Sequence, residues 1–184
     1  MGSITCPLFQ GRRRIMESLG IDDPRVSKAV LYVREAHPGA DIPQHRDFNA
    51  KRSCARRLQE EDGETRLVLV DDMEGTAHKA YGSMPNTVFI INRGGCVVYR
   101  AQWNNASATN AAVDAILNGR PLSTKSYFRP GPPSISIRTL RRAGKGSASD
   151  FLHSFPTLFW NNLIKRNLRI LFNRPADLSK DITC

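Results

Sequence analysis

Cys6, Glu35, His37 and His45 are the side chains of the amino-terminal region whose types and surroundings could carry redox or acid–base chemistry. Cys6 is followed by Pro7 and then by a helical pattern. A thiol at a helix start faces unsatisfied backbone N–H groups and the positive end of the helix dipole, both of which favour thiolate. Arg12, Arg13 and Arg14 add positive potential if any of them turns back toward that end. On these grounds Cys6 is expected to be the most reactive thiol, with a pKa below the reference value of about 8.5; an inert cysteine near the chain start is the alternative. Glu35-Ala36-His37-Pro38 directly follows a strand pattern ending near Arg34. The carboxyl edge of a parallel sheet is where α/β proteins usually place chemistry. There His37 could donate a proton or polarise a substrate group while Glu35 fixes its tautomer. His45 lies in the next loop, Ile42-Pro43-Gln44-His45-Arg46, and both histidines could equally be solvent-facing loop residues. The separations form no zinc pattern, so no metal is expected.

The remaining cysteines offer less. The residue three positions after Cys6 is Phe9, so there is no Cys-X-X-Cys dithiol. Cys54 could resolve an oxidised Cys6 if its helix approached, although its alignment with Phe48 and Leu58 reads as core packing. Cys96 opens a hairpin strand, and Cys184 is uninformative. In Ser83-Met84-Pro85-Asn86 the proline either punctuates a turn or, if cis and beside a reactive cysteine, leaves backbone groups open to an extended substrate.

These groups need elements to hold them. The pattern predicts helix over 7–19, strand over 28–34, helix over 48–61, strand over 66–70, a hairpin of 87–91 with 96–100 around Asn92-Arg93-Gly94-Gly95, and helix over 108–117. Parallel strands joined by helices and closed by a hairpin give a three-layer α/β domain over 1–118. A helix beginning at residue 7 has no full strand before it, so the leading strand is expected to be lacking or truncated. Met1 to Arg14 carries no signal-peptide or membrane-anchor pattern. Charge divides the chain: residues 1–118 hold 15 basic and 14 acidic side chains, whereas 119–184 hold 12 and 3. The overall +10 is therefore a property of the basic C-terminal extension. Residues 119–150, rich in Pro, Gly, Ser and Arg, read as an irregular connection. Residues 151–184 form a basic segment whose apolar stretch, 151–172, is too interrupted for a membrane span. That stretch fits peripheral contact with an anionic lipid surface, packing over a sheet face, or a subunit contact in a homodimer.

Several ordered motifs together resemble the iodothyronine deiodinase family, a branch of the thioredoxin-fold proteins. They are Gly2-Ser3-Ile4-Thr5-Cys6-Pro7-Leu8-Phe9, Glu35-Ala36-His37-Pro38, Ile42-Pro43-Gln44-His45-Arg46, Leu69-Val70-Asp71-Asp72-Met73, Ala80-Tyr81-Gly82 and the hairpin. Cys6 stands where the animal enzymes hold selenocysteine, Ile4 where some members hold a further cysteine, and the loop after Pro38 lacks the family's Gly-Trp pair; the chain looks like a divergent or microbial member. The resemblance implies a thioredoxin-like fold, Cys6 as redox nucleophile, and Glu35, His37 and His45 assisting halogen or proton transfer on an iodinated phenol. Substrate contacts are expected at Thr5, Pro7, Phe9, Arg46, Met84 and Pro85.

The expected function is that of a thiol-dependent oxidoreductase performing reductive dehalogenation of an aromatic halide. The alternatives are a peroxiredoxin-like thiol peroxidase, a disulfide reductase, or a non-enzymatic thioredoxin-like binding module. No bound cofactor is expected, and an external thiol or thioredoxin-like protein would serve as reductant. Location is expected to be cytoplasmic or membrane-peripheral. Nucleic-acid binding is disfavoured, because the basic tail carries no helix-turn-helix, zinc-finger or ribonucleoprotein motif.

Overall fold

The computed structural model describes residues 1–19, 23–82, 86–122 and 125–172. Helix α1 spans Pro7–Ser18, with proline at its start where a missing N–H costs nothing. Strand β1, Ala29–Tyr32, leads through α2, Phe48–Glu60, to β2, Leu67–Val70. Asp47 caps α2 by accepting from the Ala50 amide at 2.8 Å. β1 and β2 pair in parallel, Ala29 opposite Leu67 through Tyr32 opposite Val70, as a βαβ unit requires. The short helix α3, Thr76–Ala80, precedes the hairpin of β3, Val88–Ile91, with β4, Val97–Ala101. Its turn closes on Gly95 at φ 84°, a left-handed position that suits glycine. Helix α4, Ala106–Leu117, is capped by Asn105. The result is mixed α/β over the first 118 residues.

Residues 1–3 connect the two strand pairs. The Gly2 amide donates to the Leu31 carbonyl and the Val33 amide to the Gly2 carbonyl, both at 3.1 Å, while the Met1 amine donates to the Thr87 carbonyl at 2.9 Å. An extended, parallel segment thus lies along β1 and reaches toward the hairpin.

Beyond residue 118 the structure departs from the irregular connection expected over 119–150. Helix α5 spans Pro133–Ala143, and α6 begins at Ser147 and runs to Leu158. Pro132-Pro133 resembles a breaker, but proline at the first helical position starts a helix. α5 packs on α1, and Arg142 pairs with Asp62 at 2.6 Å and with Glu61. Ala143 is fully buried in the same core as Ile4, Cys6, Phe9, Val30, Tyr32, Ile42, Ala55 and Leu58. After α6, a wide-turn helical segment, Phe159–Arg166, leads into α7, Asn167–Leu171. This stretch is tied down by polar groups: Asn162 accepts from the Trp103 indole at 2.7 Å, and Asn167 brackets the Phe128 backbone at 2.8 and 2.9 Å. Among the described residues no helix is long and apolar enough to cross a membrane.

Candidate functional site

The carboxylate of Glu35 organises the site. It is 1 % exposed, in the turn just after β1, and a charge that deep must be compensated on every side. Its Oε2 accepts from the Thr5 amide at 3.1 Å and from the Thr5 hydroxyl. Its Oε1 accepts from the Tyr32 hydroxyl and lies 3.0 Å from His45 Nε2. Burial alone pushes the Glu35 carboxyl up, but hydrogen bonds from His45, Thr5 and Tyr32 outweigh it and hold the group below the usual carboxylate range. Burial, and after it the same charge, drives the Tyr32 phenol well above its usual value, which keeps it a donor.

Two further residues set the backbone. The Gln44 side chain accepts from the Glu35 amide at 3.0 Å and donates to the Glu35 carbonyl at 3.1 Å, clamping that turn and placing His45. The Thr5 hydroxyl, besides donating to Glu35, accepts from the amides of Ala36 at 3.1 Å and His37 at 3.3 Å. Thr5 therefore fastens the Cys6 segment to the Glu35–His37 loop, and it is fully buried.

Cys6 is the residue immediately before α1 and is 5 % exposed. The expectation of a lowered pKa is not met: burial pushes the thiol up. The amides of Phe9 and Leu8 in the first turn draw it back in part, but neither closes a cap on the sulfur, and the Glu35 charge raises it further. Desolvation exceeds the helix-terminus effect because the sulfur sits inside the core rather than at its rim.

His37 joins this network through its backbone amide on Thr5, while its side chain meets α6. Its Nδ1 is 2.7 Å from Asp150 Oδ2 on α6, and Phe151 stands edge-on to its ring at 5.2 Å. Cys54, on α2, packs against the core and places its sulfur with ligand atoms of Glu35 and His45, all within 4.8 Å of one another. Those three are the donors a thiophilic cation would use, although the carboxylate oxygens are already engaged. Burial, then the Glu35 charge, raises the Cys54 thiol as well.

The other expected contacts are distributed differently. Pro7 and Phe9 are buried in the core, and Arg46 is almost fully exposed beside Asp47 at 3.5 Å. Met84 and Pro85, and with them the conjectured cis-proline, lie outside the described residues. A cavity of about 680 Å³ between the two strand pairs is lined by Phe9, Val30, Val88 and Ile90, and by none of Cys6, Glu35, His37 or His45. Sequence reasoning missed Tyr32, Gln44 and Asp150. A tyrosine on the inward face of an apolar strand needs a hydroxyl partner, which was a usable signal. Nothing local marks Asp150.

The profile of the family described as iodothyronine deiodinase matches residues 1–118. The thyroxine 5-deiodinase of Ovis aries is 35% identical over 103 residues, covering 50% of this chain and 35% of the relative. That of Bos taurus is 35% identical over 103 residues, and that of Homo sapiens 33% over 103 residues, each covering 50% of this chain and 34% of the relative. The matched stretch thus spans about a third of the length of these relatives.

Proposed function

The chain belongs to the iodothyronine deiodinase family, and on that premise we propose that it is a thiol-dependent reductive dehalogenase of iodinated phenols, with Cys6 as the nucleophile. The observation that carries this is the Thr5 link, which joins the residue beside Cys6 to the buried Glu35–His45 pair and to the His37 amide. The fold reading that goes with it is thioredoxin-like, with residues 1–3 as the extended segment between β1 and the hairpin.

The resting thiol carries its own proton, and that is stoichiometrically sufficient. Sulfur attacks iodine, the carbon–iodine bond breaks, and the electron pair left on carbon takes a proton, so that thiol plus aryl iodide becomes sulfenyl iodide plus arene. The thiol proton leaves through the Glu35–His45 pair, where a carboxylate held ionised faces an imidazole at 3.0 Å. His37 serves the phenol side, donating to or accepting from its hydroxyl. One external thiol then displaces iodide to give a mixed disulfide, and a second restores Cys6 as its own disulfide is released. Sulfur loses two electrons in the first step and recovers them from the two thiols.

A thiol peroxidase or disulfide reductase is the competing reading, favoured by Cys54, whose sulfur sits beside Glu35 and His45. Turnover with dithiothreitol as donor separates them: iodide release from iodophenols is expected, whereas peroxide consumption without iodide release moves the assignment. We further propose that the exposed Leu152, Phe155, Trp160 and Phe172, with the exposed Lys165 and Arg169 nearby, contact an anionic lipid surface; Arg166 is instead turned inward to Gln102 and the Ser126 carbonyl.

A further inference from the structure

We infer that Asp150 is a positioning residue for His37: it holds the imidazole by Nδ1 and presents Nε2 to the reacting group. The inference rests on the dehalogenase reading for the purpose of the orientation, and it assigns a role to a part of the chain beyond the 1–118 stretch that the family profile matches.

Three residues of the first turns of α6 converge on His37 with helical spacing. Ser147 Oγ donates to the His37 carbonyl at 2.8 Å, Asp150 Oδ2 meets Nδ1 at 2.7 Å, and the Phe151 ring packs edge-on against the imidazole at an interplanar angle of 79°. Positions i, i+3 and i+4 share one helix face, so a single docked helix fixes backbone, ring nitrogen and ring plane together. The docking is backed from the loop between α5 and α6. The amides of Ala40, Asp41 and Ile42 donate to carbonyls of Lys145 and Ala143 at 2.9, 3.0 and 3.1 Å. Gly39 is pressed so close that a Cβ there would stand 2.3 Å from the Ala143 oxygen.

An ionised carboxylate only accepts hydrogen bonds, so in this contact Nδ1 carries the proton. In the neutral ring the lone pair is then on Nε2, where it is available to a substrate hydroxyl. The His37 side chain is 13% exposed and Asp150 51%, so the pair is open to water on one flank. An exposed pair of this kind adds little to folding stability. Its consequence, one ring nitrogen committed and the lone pair left on the other, is what distinguishes it from a docking clamp.

The test is the tautomer of His37 in the full chain, read by long-range nitrogen-15 correlation spectra at about pH 8, where an ordinary imidazole is neutral. The wild type is expected in the Nδ1–H form. Asp150→Ala is expected to shift His37 toward the Nε2–H form and to lower kcat on an iodophenol by about 10–100-fold with KM within about twofold. Asp150→Glu is expected to restore both, which separates orientation from a general loss of α6 docking. An Nε2–H ring in the wild type, or an Asp150→Ala protein with unchanged tautomer and kcat, overturns the inference. Absence of any iodophenol turnover in the wild type would instead remove the dehalogenase reading, while the tautomer comparison still decides the role of Asp150.

Discussion

At the residue scale the chemistry turns on two buried groups with opposite protonation, a thiol held protonated and a carboxylate held ionised. For Cys6, burial has raised the thiol above its ordinary value. Site-resolved alkylation by iodoacetamide should therefore run slower at neutral pH in the native protein than in the unfolded chain, and its rate should still be climbing past about pH 9. A plateau below pH 8 would contradict this. For Glu35 the sign runs the other way. Its folded pKa lies below the ordinary 4.5, so its stabilisation is complete above the unfolded value and is lost as pH falls through the folded one. Urea unfolding between about pH 3 and 6 should show wild-type stability falling on acidification. Glu35→Gln should be less stable by on the order of 3 kcal/mol at neutral pH, with a shallower acid slope. Cys6, Glu35, His37 and His45 stand out as candidates in the sequence by residue type and by position after a strand or before a helix, but their pairing does not: the sequence points to Glu35 fixing the His37 tautomer, whereas its carboxylate meets His45 and the His37 ring meets Asp150, a partner no local pattern announces. The protonation of Cys6 is not legible either, since it depends on how deep the core closes over the sulfur.

At the element scale, the βαβ unit and the hairpin were readable because their signals are local: short apolar runs for the strands, helical spacing of Phe48, Cys54 and Leu58, and the glycine turn at Gly94-Gly95. Helix α5 was misread because Pro132-Pro133 is ambiguous, a breaker inside a helix and a starter at its first turn. Its packing on α1 involves partners more than 100 residues apart, such as Gly11 and Ile135, and no local pattern reports that. The contact between the 39–42 loop and the α5–α6 junction makes its own prediction. Gly39→Ala forces backbone against backbone at the Ala143 carbonyl, so the loop must give way. A cost of about 1–3 kcal/mol in unfolding free energy is expected, with faster proteolysis between residues 119 and 150. A neutral substitution would mean that the tail is not seated on the site loop.

At the scale of the whole molecule, the charge division and the packing tell different things about the tail. Its net charge sets it apart from the first 118 residues, yet Ala143 lies in their core and Asp150 meets their histidine. One face of the helices beyond residue 147 still exposes Leu152, Trp160 and Phe172. Sedimentation with anionic vesicles should accordingly exceed that with neutral ones and weaken with salt; equal partitioning to both would exclude the lipid role. The claim on which everything else depends is that Cys6 takes the iodine. A single turnover without added thiol tests it most directly: the wild type should yield one equivalent of deiodinated phenol per chain and then stop until dithiothreitol is supplied, and Cys6→Ser should yield none. Deiodinated product from Cys6→Ser at the wild-type level would contradict it.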